Sequence, residues 1–323
     1  MLIENPKVYS NTEVDSIFFR PSFCGKSAEE MGIHVIYNMP MPTTVQVFAN
    51  KRRVLEPFES GWSGSATNKP MQVTIAMNRV KAESSYSAED YFSTVFELIT
   101  NSSDVNLGDL TGTELEKAET ELFRKAIAKE IYATMWFGDE NGEFYSYDSF
   151  NGFLPTLIRT AVDNGTSTNY QIVQEKPAKT AVQIFRDAWD NASGTIRTLA
   201  SEGNLAFYVS SDVYDDYQFY LDENGTNSAY VDMQSGRQKL YYHGIPVIEV
   251  PITGANLDSL GSFCLLTDSR NLVLALNTAS SPENEVRMWY NPDEMENRQR
   301  AVFLAGTAIV DLDLVSGYIV TSY

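Results

Sequence analysis

"KLYYHGIPVIEVP", Lys239 to Pro251, holds one of the two histidines in the chain between two strand-like runs. Tyr241 and Tyr242 precede His243 and Gly244, and Ile245, Val247, Ile248 and Val250 follow. Aromatic and β-branched residues of this kind suit a pleated, half-buried surface. His243 is therefore either the centre of a chemical site or part of a turn between two strands.

Upstream of this stretch, "SDVYDDYQFYL" reads as a short helix opening on Ser210 or Ser211 and closing at "DENG", and "NLAFYVS" before it reads as a buried strand. A longer helical pattern precedes both. Val182, Phe185, Trp189, Ala192, Ile196 and Leu199 alternate three- and four-residue spacings, with Gly194 costing about 1 kcal/mol relative to Ala and marking a point for a kink or break. The strongest helix signal runs from Thr113 to Phe137, about 36 Å at 1.5 Å per residue. Thr113 and Glu116 have capping-box spacing, acids load the first half, Arg124, Lys125 and Lys129 follow, and Gly138 is a natural stop. It carries two apolar stripes, Leu115, Ala118, Leu122 and Ala126, and Phe123, Ile127, Ile131 and Met135. "GDENGEFY" reads as the turn that ends it, since the spacing of a calcium loop is missing.

Nearer the N-terminus, "TVQVFANKRRVLE" and "MQVTIAMNRV" alternate apolar and polar residues around a Gly/Ser-rich segment closed by Pro57 and Pro70. They read as a long hairpin whose arms reach about 35 Å, too long to fold back on a small domain. A two-stranded ribbon is marginal alone, so it is expected to rest on a neighbouring subunit. On this hairpin Lys51, Arg52 and Arg53 form a basic knot, either docking on acidic surface of another copy near Glu114, Glu116 or Glu121, or guarding an exposed edge. The first 32 residues read as an extended arm that exposes Phe18, Phe19 and Phe23 unless it packs on something. Phe18, Phe19, Lys51, Arg52, Arg53 and Trp62 are the candidates for contacts between subunits.

Downstream, "FCLLTDSRNLVLAL" adds a strand and turn, and "EVRMWY", "NPDE" and "RQRAVFLAGTAIVDLDLV" close the chain as antiparallel sheet, with Asp311 and Asp313 on one face of a strand. Helices mixed with antiparallel strands make the fold class α+β.

Composition narrows the function classes. The 323 residues can bury a sizeable core, and 43% hydrophobic with 21% charged residues is a globular balance. Lys and Arg number 24 against 43 Asp and Glu, a formal net charge of -19, which argues against affinity driven by counterion release from phosphate. It would instead make close approach to DNA non-adhesive. Cys24 and Cys264 lie far apart without CxxC spacing, so neither a disulfide framework nor a zinc ribbon is expected. The start has no basic and apolar signal pattern, and the apolar run Ala301 to Val310 falls short of the roughly 20 residues a span needs, so no membrane role is expected.

Chemistry is hard to find. The common phosphate, dinucleotide, hydrolase-elbow and zincin strings are absent, and His34 and His243 cannot be paired with either cysteine. Asp215, Asp216 and Glu249 lie among tyrosines as glycosidase carboxylates would, but an acidic protein this rich in Tyr offers many such pairs, and a solvated acidic helix face is the better explanation. No catalytic residue, cofactor or metal is expected.

The order of elements resembles the major capsid protein of tailed bacteriophages, a fold shared with encapsulin nanocompartments. "SDVYDDYQFYLDENG" is similar to the helix and turn of the family's axial domain. "LYYHGIPVIEVP" is similar to its Gly-Ile/Leu-Pro-Val hairpin, and "SRNLVLAL" with "VRMWYNPDEMENRQRAVFLAG" to its return into the peripheral domain. The resemblance covers essentially the whole chain. It implies an N-terminal arm (1–32), an extended hairpin loop (33–84), a peripheral domain (85–160) with spine helix 113–137, an axial domain (161–280) and return strands of the peripheral domain (281–323). It also implies a structural, non-enzymatic role. Pentamers and hexamers would close an icosahedral shell around packaged double-stranded DNA without sequence-specific binding, with scaffold and portal proteins as partners and assembly in the host cytoplasm. An encapsulin-like cargo shell and a polysaccharide-active enzyme are the alternatives. Within the resemblance His243 is a turn residue: Gly244 relieves a tight turn and Pro246 stiffens the entry to a strand. Lys51 or Lys69 would be the candidates for the Lys to Asn cross-links that some members form.

Overall fold

A computed structural model describes residues 7–8, 28–29, 31–37, 43–48, 70–87, 114–142, 147–164, 169–175, 177–224, 240–250, 261–277 and 285–321. The strands are β1 (Lys7–Val8), β2 (His34–Tyr37), β3 (Thr43–Phe48), β4 (Pro70–Ile75), β5 (Asn78–Ser87), β6 (Tyr170–Val173), β7 (Leu205–Ser210), β8 (Leu240–Tyr242), β9 (Ile245–Val250), β10 (Phe263–Asp268), β11 (Leu272–Asn277), β12 (Glu285–Asn291), β13 (Glu296–Ile309) and β14 (Val315–Val320). The α-helices are α1 (Glu114–Phe137), α2 (Phe153–Asn164), α3 (Ala181–Asp190), α4 (Gly194–Leu199) and α5 (Ser211–Glu223). The α+β class stands.

Two six-stranded sheets organise these elements. The first runs β1-β12-β13-β11-β2, with β5 also on β13, and the second runs β6-β14-β10-β7-β9-β8. The 14-residue β13 is the axis of the first sheet: residues 296–302 pair with both β12 and β5, and residues 304–305 with both β11 and β5. The second sheet is mixed, with parallel pairs β6/β14 and β7/β9. Sheet membership cuts across the segments expected from sequence, since β11 lies in the first sheet with β13, and β14 in the second with β10.

Among the described residues the chain passes between the sheets three times, once from β5 to β6 by way of α1 and α2 and twice through short turns that are tied together. One is the short 3-10 turn Ser269–Asn271 between β10 and β11, and the other is Leu312–Leu314 between β13 and β14. The buried Asn271 amide donates to the Thr267 hydroxyl at 3.1 Å and to the Asp311 carbonyl at 2.9 Å, while its oxygen accepts from the Asp311 N–H at 2.7 Å. Its own carbonyl accepts from Val310 N–H at 3.0 Å. This corrects the reading of Asp311 and Asp313 as neighbours on a strand face. Asp311 caps the turn, accepting from the Asp313 N–H at 3.0 Å, because a chain changing sheets must leave the pleat.

Strict alternation on the central strands fills the cores on both faces of the second sheet. On β7, Ala206 and Tyr208 enter a first cluster and Leu205, Phe207 and Val209 a second. On β10, Phe263 and Leu265 face the first, and Cys264 and Leu266 the second. Continuous apolar runs are what strands covered on both faces require. Helices α3 and α5 cover one face through Phe185 and Tyr217, whose rings lie 5.0 Å apart. On the other face α1 supplies Trp136, fully buried and within 6 Å of the rings of Phe153, Tyr208 and Phe263.

Local signals explain the helix ends. The helical pattern over 182–199 breaks after Asp190 and restarts when Ser193 accepts from the Ile196 N–H at 3.3 Å, so Gly194 opens a new helix. Gly138 does stop α1, but as a crossing point rather than a left-handed cap. A Cβ there would lie 2.1 Å from the Phe150 carbonyl oxygen, and the Gly138 carbonyl accepts from the Gly152 N–H at 2.6 Å. The next residue, Asp139, is fully buried and paired with Arg159 of α2, which also donates to Asn151 at 2.8 Å. Residues 143–145 of the "GDENGEFY" turn lie outside the described residues.

Two outcomes follow for stability. Asn271→Ala strips partners from both backbone groups of Asp311 and should lower the unfolding free energy by about 2 kcal/mol or more in urea denaturation. Burial pushes the Tyr170 phenol up to about 12 and raises Tyr37, Tyr132, Tyr208 and Tyr318 further. The folded state thus keeps protons that the unfolded chain releases near pH 10. Their stabilisation is complete below about pH 10 and is lost as the pH rises toward 12 and beyond, so urea midpoints should fall steeply over that range.

Candidate assembly surfaces

The contact candidates Phe18, Phe19, Lys51, Arg52, Arg53 and Trp62 lie outside the described residues, as do the side chains of Glu114, Glu116 and Glu121. The described part of the hairpin is β3 with β4, antiparallel from Thr43 opposite Ile75 to Phe48 opposite Pro70. It forms a two-stranded sheet of its own. Its base is fixed where β4 passes into β5: Ile75 and Met77 are buried against Val273, Ala275 and Leu304, and Gly306 lets the Ala76 carbonyl approach to 2.2 Å of where a Cβ would stand.

Of the two stripes on α1, one packs and the other is open at its described residues. Ile127, Ile131 and Met135 are at most 5% exposed, whereas Leu122 is 57% exposed and Ala126 is also exposed. The other large apolar side chains left in solvent among the described residues are Val162, Phe219, Tyr220 and Met295. Phe219 escaped the sequence reading. Val213, Tyr217 and Leu221, four apart, form the packed face of α5, and that spacing alone puts Phe219 on the far side.

His243 resolves as architecture. With φ of 49° at His243 and 80° at Gly244, the β8–β9 connection has the positive-φ pair of a two-residue hairpin turn. The His243 ring stands edge-on to Tyr242 at 4.5 Å. Pairing of β9 with β7 starts at Val247, one residue past Pro246 and its missing N–H. Beside the turn lies a groove of about 550 Å³ lined by Val182, Arg186, Trp189, Tyr242, His243 and Ile245, among others.

Reactive chemistry does not converge anywhere in the described residues. Cys264 is fully buried and its thiol pKa is pushed well up by burial, which suppresses the thiolate. His34 is exposed at the start of β2. Asp215 and Asp216 sit on the exposed side of α5, and Glu249 accepts from the Ser211 hydroxyl at 2.8 Å. No group of three His, Cys, Asp or Glu among the described residues could hold a metal, and no helix among them is long and apolar enough to cross a membrane.

No protein-family model matches the chain, and no curated protein does. Solved structures do. A chain of the satellite phage P4 procapsid, which includes the size determination (Sid) protein, superposes with a TM-score of 0.56 over 95% of this chain and 96% of that one at 9% identity. The capsid of an empty GTA particle gives 0.51 over 93% and 92% at 14% identity, and that of the native GTA particle 0.50 over the same shares at 16%. This chain has the phage major capsid protein fold. The match spans nearly the full length of both partners, so both sheets and the helices between them belong to it. Among the described residues, the apolar surfaces left open in this fold include Leu122 on α1, Val162 on α2, Phe219 and Tyr220 on α5, Met295 and the groove beside His243.

The turn reading of His243 has a direct check. His243→Gly should leave the unfolding free energy unchanged or raised by up to about 1 kcal/mol, because it removes a left-handed non-glycine residue. Gly244→Val, with a β-branched side chain at φ 80°, should lower it by about 1–3 kcal/mol. Thermal melts of the two variants distinguish the effects.

Proposed function

We propose that this chain is a structural head protein, many copies of which self-assemble into an icosahedral shell enclosing double-stranded DNA. The observation that carries this is the full-length likeness to chains of the P4 procapsid and GTA capsid structures. Physical features support it. A two-stranded ribbon that forms its own sheet needs a neighbouring surface to be stable, and Leu122 leaves α1 with an uncovered apolar position. A net charge of -19 suits a container whose wall does not grip phosphate, so that DNA slides during packaging. In this reading the ribbon and its Lys51–Arg52–Arg53 knot lie over a neighbour's α1, and the N-terminal arm with Phe18 and Phe19, together with Trp62, laces adjacent subunits. The assembled form resides in the virion capsid, with scaffold and portal proteins as partners and assembly in the host cytoplasm.

Negative-stain electron microscopy and size-exclusion chromatography of the purified chain, alone and co-expressed with a candidate scaffold protein, test the proposal. Closed shells, tubes, pentamers or hexamers are expected. A clean monomer in both preparations overturns it. Replacing Lys51, Arg52 and Arg53 by Glu should abolish these assemblies without changing the monomer's thermal melt, and normal assembly by that variant would refute the docking role of the knot.

A further inference from the structure

A cleft opens where α1, β5 and residues 147–150 meet. Its floor is apolar, made by Val80 and Ala82 of β5, Ile127 and Ile131 of α1, Phe150 and Phe303. The cavity measures about 180 Å³. Small-molecule pockets begin at roughly 300 Å³, so this one suits an inserted side chain. Thr134 lines it and is 4% exposed, and among the described residues its hydroxyl has no hydrogen-bond partner. A largely buried hydroxyl left unpaired costs free energy that an incoming donor would recover.

The rim carries charge. Glu130 of α1 and Asp148 line the cleft and are exposed, and among the described residues neither has an ion-pair or hydrogen-bond partner. The helix itself offers Glu130 none, since Ala126, Ile127, Ala133 and Thr134 hold the positions three and four away. Lys81 also lines the cleft, but it alternates to the other face of β5 from Val80 and Ala82, and its ammonium meets Glu83 at 3.0 Å. Lys129, next to Glu130 on α1, lies outside the lining. A long cationic side chain answers each of these features. Its methylenes cover the apolar floor while its head meets the carboxylates. The five donors of a guanidinium suit two carboxylates and a hydroxyl together.

The chain holds one run of three adjacent cations, Lys51, Arg52 and Arg53, in a stretch that reads as extended. Strand β5 pairs only with β13 among the described strands, so an extended segment can lie along its outer edge, beside the cleft. The ribbon of the same chain starts from the opposite face of the first sheet. Ile75 and Met77 pack there on Val273 and Leu304, whereas Phe303 of the cleft packs in the core that α1 shares. From that base β4 carries the ribbon about 17 Å outward. We infer that the cleft between Glu130 and Asp148 receives an arginine of the Lys51–Arg53 knot from a second copy. The inference rests on the shell reading, and it moves the docking site of the knot from the acids at the start of α1 to the second half of that helix.

Charge exchange tests the pairing. Glu130→Lys with Asp148→Lys, both at exposed positions, should leave the thermal melt unchanged and lower the yield of assembled particles on the order of tenfold, because like charges then meet. Adding Lys51→Glu, Arg52→Glu and Arg53→Glu to the same chain should restore assembly, which no defect in folding would do. In a Cys24→Ser background, with Cys264 buried, a mixture of the Arg52→Cys and Asp148→Cys single variants should give cross-linked dimers under mild oxidation. Normal assembly by the Glu130→Lys, Asp148→Lys variant overturns the site and leaves the shell reading standing. So does an exchanged chain that neither assembles nor, as the cysteine pair, cross-links while the wild type forms shells. A wild-type chain that stays monomeric even with a scaffold protein overturns both.

Discussion

The fold depends on two adjacent crossings of the chain between its sheets. Strand β10 gives way to β11 and β13 to β14 through short turns, and the Asn271 side chain bonds to both. An asparagine suits this place because one amide offers both donors and an acceptor, and the backbone of Asp311 needs one of each. The Asp311 carbonyl also accepts from the Leu314 N–H at 3.3 Å, so the asparagine shares that acceptor and serves the Asp311 N–H through its own oxygen. Had the chain stayed in one sheet at either point, the second sheet would lose a central strand or the first its β11.

Since each crossing carries an apolar run from one sheet to the other, a largely shared core results. Phe263 and Leu265 of the second sheet sit in the same cluster as Leu272, Leu274 and Phe303 of the first. Trp136 joins them through α1, and its ring neighbours come from α2, β7 and β10. Glycines allow the closest approaches. At Gly317 a Cβ would stand 1.9 Å from the Cys264 carbonyl oxygen, and at Gly152 it would stand 2.6 Å from the Gly138 nitrogen. Tight backbone crossings of this kind transmit strain, which fits a subunit that must keep its shape while its edges bind others.

What remains uncovered is as informative as the core. Leu122 on α1, a lone ribbon, a groove beside His243 and the exposed rings of Phe219 and Tyr220 lie in different parts of the same subunit. A subunit that meets several neighbours at different angles needs several dissimilar patches, whereas a two-fold dimer needs one. The proposed shell gives such patches neighbours to meet.

Much of this was legible in the sequence, because it depends on local periodicity. The limits of α1, the strand pair around His243 and Gly244, the ribbon and the buried strand at Leu205 to Ser210 all follow from spacings within a few residues. Backbone geometry and side-chain direction enforce those spacings wherever the segment ends up. Other features depended on partners far along the chain. Alternation could not tell whether Asp311 and Asp313 stood on a strand or capped a turn, because Asn271 decides that from 40 residues away. Nor could two equal apolar stripes on α1 reveal which one packs, or a helix stop at Gly138 reveal that another backbone crosses there. The sequence by itself determined the elements, the acidic balance and the resemblance. Only the tertiary structure decided which sheet each strand joins and which aromatic faces stay open, since both depend on contacts between segments that periodicity treats as independent.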